Sequence, residues 1–187
     1  MITALGIDPG LAETGYAVLS GGAGGFVLRD AGILHTAARD GLATRLADLH
    51  RDLAKVLDEY PCDMMVVEDL YAFGRSPRTA IVMGHARGII LLAATLRSTP
   101  VVPLPPAAVK RALVGSGQAS KAQIQRMVEH LVALPRPVSD HVADAVALAL
   151  VGLSRRGVPL VRAPGEGSAP RAGRFLPRAG RITRVPR

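Results

Sequence analysis

Residues 1–10 read Met-Ile-Thr-Ala-Leu-Gly-Ile-Asp-Pro-Gly. An apolar run that stops on Asp8, with Pro9-Gly10 turning the chain immediately afterwards, is the pattern of a short strand ending in a carboxylate. Two more short runs follow, at 15–20 and 25–35, parted by glycine-containing turns, so the chain opens as an antiparallel meander of three strands. The period then changes. Leu42, Leu46, Leu49, Leu53 and Leu57 are spaced 4, 3, 4 and 4 apart, one apolar stripe of a helix over 41–60. Residues 64–67 form a continuous apolar strand, 78–97 a helix, and 101–104 a strand stopped by Pro105 and Pro106. Ser120 with Gln123 is a capping box that opens a helix to about Leu134, and Ser139 caps a last helix to about Arg156. This order predicts an α/β fold: a mixed five-stranded sheet, three antiparallel strands first, with helices on both faces.

The chain has 187 residues, enough for one domain with its own core. Its net charge of +8 is unevenly placed. Residues 1–70 carry 5 basic and 11 acidic groups, residues 71–139 carry 9 and 1, and residues 155–187 carry 9 arginines against Glu166. Such basic regions point to a polyanion, either nucleic acid or an anionic membrane. From Gly157 onward 10 of 31 residues are Gly or Pro and the apolar residues have no period, so 157–187 is expected to be a disordered basic tail beside a folded domain at 1–156. It reads either as an arm for DNA phosphates or as a solubilising tail. Cys62 is the one cysteine, which excludes an intramolecular disulfide and multi-cysteine zinc sites. The N-terminus lacks a signal-peptide pattern, and the apolar run 89–96 is too short to span a bilayer, so a cytoplasmic protein is expected.

The chemistry is carried by acids in apolar surroundings. Asp8 and Glu68 each close an apolar strand, where sheets covered by helices bind ligands. Asp144 lies in an otherwise apolar stretch, 142–153, and a buried carboxylate is costly unless it is paired or holds a metal. His141 precedes it by three positions, on the same helical face. Taken singly, Asp8 could be a turn residue, Glu68 a solvated strand end, Asp144 an exposed helix position and His141 a surface residue. Together they make an oxygen-rich donor set suited to Mg²⁺ or Mn²⁺, and such sites hydrolyse phosphodiesters.

Ile-Asp-Pro-Gly at 7–10, Thr-Gly-Tyr at 14–16, Val-Glu-Asp-Leu-Tyr at 67–71, Gly-His-Ala-Arg-Gly at 84–88, Val-Lys at 109–110, Ser-Lys-Ala-Gln-Ile-Gln at 120–125 and His-Val-Ala-Asp-Ala at 141–145 resemble the RuvC family of Holliday junction resolvases. The resemblance runs from residue 2 to about 153. It implies an RNase H-like fold, a homodimer, paired Mg²⁺-dependent nicking of four-way junction DNA, and a branch-migration helicase complex as partner. It also implies that Asp8, Glu68 and Asp144 are the catalytic metal-binding carboxylates. His141 stands where many members carry a fourth acid, so it is expected either to bind metal or to handle a proton, and an imidazole favours Mn²⁺ more than a carboxylate does. Asp140 is read instead as a first-turn charge favoured by the helix dipole. Tyr71 falls where the family places an aromatic that inserts into the junction, and Phe73 follows it. Lys110 and Lys121 match basic residues near the scissile phosphate, and Arg78 is expected on the DNA side. The helix at 78–97, with Gly84 and Gly88 four apart, is the expected dimer face.

Three competing readings are weaker. A related RuvC-like nuclease of RNA processing shares the fold and first acid but not the Ser-Lys-Ala-Gln helix or Gly-His-Ala-Arg-Gly. A sugar-kinase or actin-like ATPase needs two such domains. A non-catalytic junction-binding protein leaves the three apolar-embedded acids unexplained.

Overall fold

The structure is a computed structural model that describes residues 1–69, 76–132, 134, 138–160 and 182–185. The elements in chain order are β1 (Ile2–Asp8), β2 (Glu13–Gly22), β3 (Gly25–His35), α1 (Leu42–Glu59), β4 (Met64–Glu68), α2 (Pro77–Thr95), β5 (Val101–Leu104), α3 (Pro106–Val114), α4 (Lys121–Leu131), α5 (Asp140–Arg155) and β6 (Ile182–Arg184). One sheet of order β5-β4-β1-β2-β3-β6 results. The β1–β2 and β2–β3 pairs are antiparallel, as the turns require, and β1–β4 and β4–β5 are parallel.

Strand residues alternate between two apolar layers. Leu5, Ile7, Tyr16, Val18, Met65 and Val67 pack with α1 and α2 on one face. Ala4, Ala17, Leu19, Met64 and Val66 pack with α3, α4 and α5 on the other. The alternation puts Asp8 and Glu68, two steps beyond Gly6 and Val66, on the α5 face. Helices thus cover both faces of a mixed sheet, as the periodicity predicts.

Missing side chains bring α5 onto the sheet. A Cβ on Gly6 would lie 2.0 Å from the Ala145 carbonyl oxygen, and one on Gly15 would lie 2.1 Å from that of His141. On the helix side, a Cβ on Gly152 would lie 2.4 Å from Val66 Cγ2. Glycines on β1, β2 and α5 therefore let backbone approach backbone, which fixes the height of the first turns of α5 above the strand ends.

The structure departs from the sequence reading in two elements. α3 was not predicted, because Pro105 and Pro106 read only as strand terminators; Pro106 in fact occupies the first helical turn, and Gly115, with φ of 79°, closes the helix in the left-handed region. The sheet has six strands rather than five, because β6 pairs antiparallel with β3. β6 comes from within 157–187, the segment set apart as a disordered tail; residues 161–181, 186 and 187 lie outside the described residues. No described helix is long and apolar enough to cross a membrane.

Candidate active site

Asp8 and Glu68 close two neighbouring parallel strands. Ile7 pairs with Val67, so one further step brings both carboxylates to the same edge of the sheet, beneath α5. Ser139 caps α5 by accepting from the Val142 N–H at 3.3 Å, and this start places His141 and Asp144 on the turns that overhang that edge. Asp144 and Glu68 line a recess of about 230 Å³ together with Lys110 from α3 and Lys121 from α4. Asp8 and His141 line a second, more open recess of about 480 Å³ together with Glu13 and His35. The four residues singled out for chemistry thus converge at one end of the sheet, and both lysines join them.

The electrostatics follow from this crowding. Asp8 is buried and its Oδ2 lies 2.6 Å from His141 Nδ1. That hydrogen bond is the main reason the imidazole is held above its ordinary pKa, partly opposed by burial and reinforced by the charges of Asp8, Glu13 and Asp144. Asp144 is pushed up, first by burial and then by the charge of Asp8. Lys121 pairs with Asp140 at 3.3 Å, and that bond, followed by the charge of Asp144, raises the ammonium's pKa. Asp140 is exposed at the first turn of α5, in keeping with its reading as a helix-start charge.

The donor set fits a hard divalent cation. Three carboxylates share one end of the sheet, and burial, followed by the charge of Asp8, disfavours the ionised form of Asp144 when no cation is present. Among the described residues no group of three or more His, Cys, Asp and Glu closes on a single point. Glu68 and Asp144 line one recess and Asp8 and His141 another, so an ion held by any of them would keep water or phosphate oxygens among its ligands.

Not every predicted residue joins this cluster. Tyr71 and Phe73 lie outside the described residues. Arg78 is exposed on the first turn of α2. Glu13 was missed by the sequence reading, yet its Oε2 stands 3.7 Å from His141 Nε2. It opens β2 one turn after Asp8, and only the position of α5 brings it beside His141.

A family model for crossover junction endodeoxyribonuclease RuvC matches residues 4–152. A protein of that name from Rhodopirellula baltica is 44% identical over 151 residues, 79% of this chain and 84% of its own. Another, from Thermomicrobium roseum, is 43% identical over 147 residues, 78% of this chain and 89% of its own. Among solved structures, Thermus thermophilus RuvC in complex with a Holliday junction substrate superposes with a TM-score of 0.77 at 30% identity, covering 84% of this chain and 97% of that one. The yeast mitochondrial Holliday junction resolvase, at 18% identity and a TM-score of 0.57, shares the fold.

Proposed function

The chain belongs to the RuvC family of crossover junction endodeoxyribonucleases, and on that premise we propose that it resolves four-way Holliday junctions at a centre built from Asp8, Glu68, Asp144 and His141. The observation that carries the reading is the convergence of three carboxylates from β1, β4 and α5 at one sheet edge, beside two lysines.

Asp8, Glu68 and Asp144, with His141 at the rim, would hold divalent metal, Mg²⁺ first and Mn²⁺ as an alternative. Bound there, a divalent cation offsets phosphate charge and lowers the pKa of an attacking water. The chain's own residues do the rest. Lys110 and Lys121 offer ammonium groups to the phosphate, which the acids alone would repel. His141 holds the Asp8 carboxylate in place through the Nδ1 hydrogen bond. The glycine contacts hold α5 at constant height, so the spacing of the acids is set by backbone.

The proposal extends to a homodimer joined through α2. Ile81, Leu92 and Leu96 are 61%, 48% and 64% exposed on that helix and its end, and a Cβ on Gly84 or Gly88 would meet open space. A two-fold pair presents two identical sites to a two-fold junction, so opposed strands are cut as a pair. Tyr71 and Phe73 would stack on junction bases beside Glu68, and Arg78 would meet phosphate. A branch-migration helicase partner and action in the cytoplasm complete the reading. The arginines beyond residue 156 add sequence-independent phosphate contacts, so neutralising Arg162, Arg171, Arg174 and Arg178 weakens salt-dependent binding and spares cutting.

The test is cleavage of a synthetic four-way junction, a linear duplex and a single strand, each with Mg²⁺, Mn²⁺ or chelator. Paired nicks confined to the junction and to the metal-containing reactions are expected; equal cutting of the linear duplex, or cutting with chelator, contradicts the reading.

A further inference from the structure

The outer edge of β3 pairs with β6, and four features of that pairing point to one occupant. The first is backbone pairing. Gly32, Ile33 and Leu34 face Arg184, Thr183 and Ile182, and the Val185 N–H donates to the Ala31 carbonyl at 2.7 Å. The second is steric. A Cβ at residue 32 would fall 2.2 Å from the Thr183 carbonyl oxygen, so this edge accepts a strand because residue 32 is glycine.

The third is charge. Asp30 is 5% exposed and accepts from the hydroxyl of Tyr16, itself wholly buried, at 3.0 Å. The Arg184 guanidinium reaches it, with Nε 3.1 Å from Asp30 Oδ2, and also takes Glu59 on α1, with Nη2 2.6 Å from Oε2. A buried carboxylate and a second acid on a neighbouring element select a fork of donors rather than a point charge. The fourth is side-chain fit. Ile182 packs into the layer that holds Leu34, and Thr183 Oγ1 lies 3.0 Å from His35 Nε2.

We propose that the β3 edge, with its Asp30–Glu59 clamp, is a receptor for the chain's own C-terminal segment, and that Arg184 is the residue it reads. The docked strand lies at the catalytic end of the sheet. Thr183, Ile33, Gly15 and Asp8 form one row across β6, β3, β2 and β1, which at strand spacing puts Thr183 about 14 Å from Asp8. The chain is thereby fastened at Leu160, which packs on the α5 layer, and again at Ile182. Docking also covers an edge that would otherwise be open to pairing between molecules.

A full-length variant with Cys62→Ser, Ile33→Cys and Thr183→Cys tests both docking and occupant. Mild oxidation is expected to give a disulfide within one chain, running as a faster monomer on a non-reducing gel. No disulfide overturns the docking, and a disulfide-linked dimer overturns the assignment to the chain's own segment. Independently, Arg184→Met is expected to lower Tm by about 5 °C and to speed amide exchange at 32–34 at least about tenfold. Unchanged exchange there overturns the role of Arg184.

Discussion

Asp8 Oδ2 and His141 Nδ1 are 2.6 Å apart, which joins the end of β1 to the first turn of α5 by a single hydrogen bond. Holding Asp8 in one rotamer is the consequence, and the raised pKa of His141 shows that the imidazole is drawn toward its charged form when no metal competes. His141→Ala should slow single-turnover junction cutting by about 10- to 100-fold with junction affinity nearly unchanged, the range found when a group orienting a metal ligand is lost. His141→Asp should keep most of the activity and raise the Mg²⁺-to-Mn²⁺ rate ratio. An Ala variant that cuts at the native rate would remove His141 from the centre.

The Gly15 position makes a sharper demand. It pairs with Asp8 in the β1–β2 register and also lies under His141, where a Cβ has no room. Gly15→Ala must lift α5 or bend β2, so it should lower Tm by several degrees and cost at least about tenfold in cutting through misplaced acids. Gly24→Ala, in the turn between β2 and β3 where a Cβ meets open space, is the matched control and should leave Tm within about 1 °C in the same calorimeter run.

Asp144 gives a pH dependence with a defined sign. Its pKa is raised by burial and by Asp8, so the folded state disfavours the ionised form. A carboxyl whose pKa is higher in the folded chain stabilises relative to its ionised form below the ordinary carboxylate range and loses that contribution as pH rises through the raised value. With chelator present, Asp144→Asn should therefore melt about 2 °C above the parent at pH 7, and the gap should close below about pH 4. A constant gap across that range would show that the charge is not the cause.

The α2 face predicts assembly. Ile81→Glu should convert a dimer to a monomer by sedimentation while preserving Tm, because Ile81 is 61% exposed on the single chain. Junctions should then be nicked on one strand rather than two in each encounter. Sedimentation of the variant as an unchanged dimer would move the interface elsewhere.

Much of the site is legible because its residues break local patterns. Asp8 and Glu68 end apolar strands, and Asp144 interrupts an apolar helix, so strand-end position and the cost of burial find all three without tertiary information. Lys110 is different: α3 was not read at all, since two prolines that end a strand also open a helix, and only the motif pointed to that lysine. Glu13 and the close approach at Gly15 depend on where α5 lands, which no local window contains. β6 is hidden for the same reason. Ile182-Thr-Arg-Val185 has strand-like residues, but Gly32, Asp30 and Glu59 decide whether it pairs, and they lie in other elements.

The role proposed for Asp144 is in cutting and not in holding DNA. Junction affinity by anisotropy and single-turnover cleavage, measured side by side for the parent and Asp144→Asn in Mg²⁺, test it most directly. A Kd within about twofold and a cutting rate lower by at least about 1,000-fold, some 4 kcal/mol of barrier, are expected. Cutting by Asp144→Asn within about tenfold of the parent would contradict it.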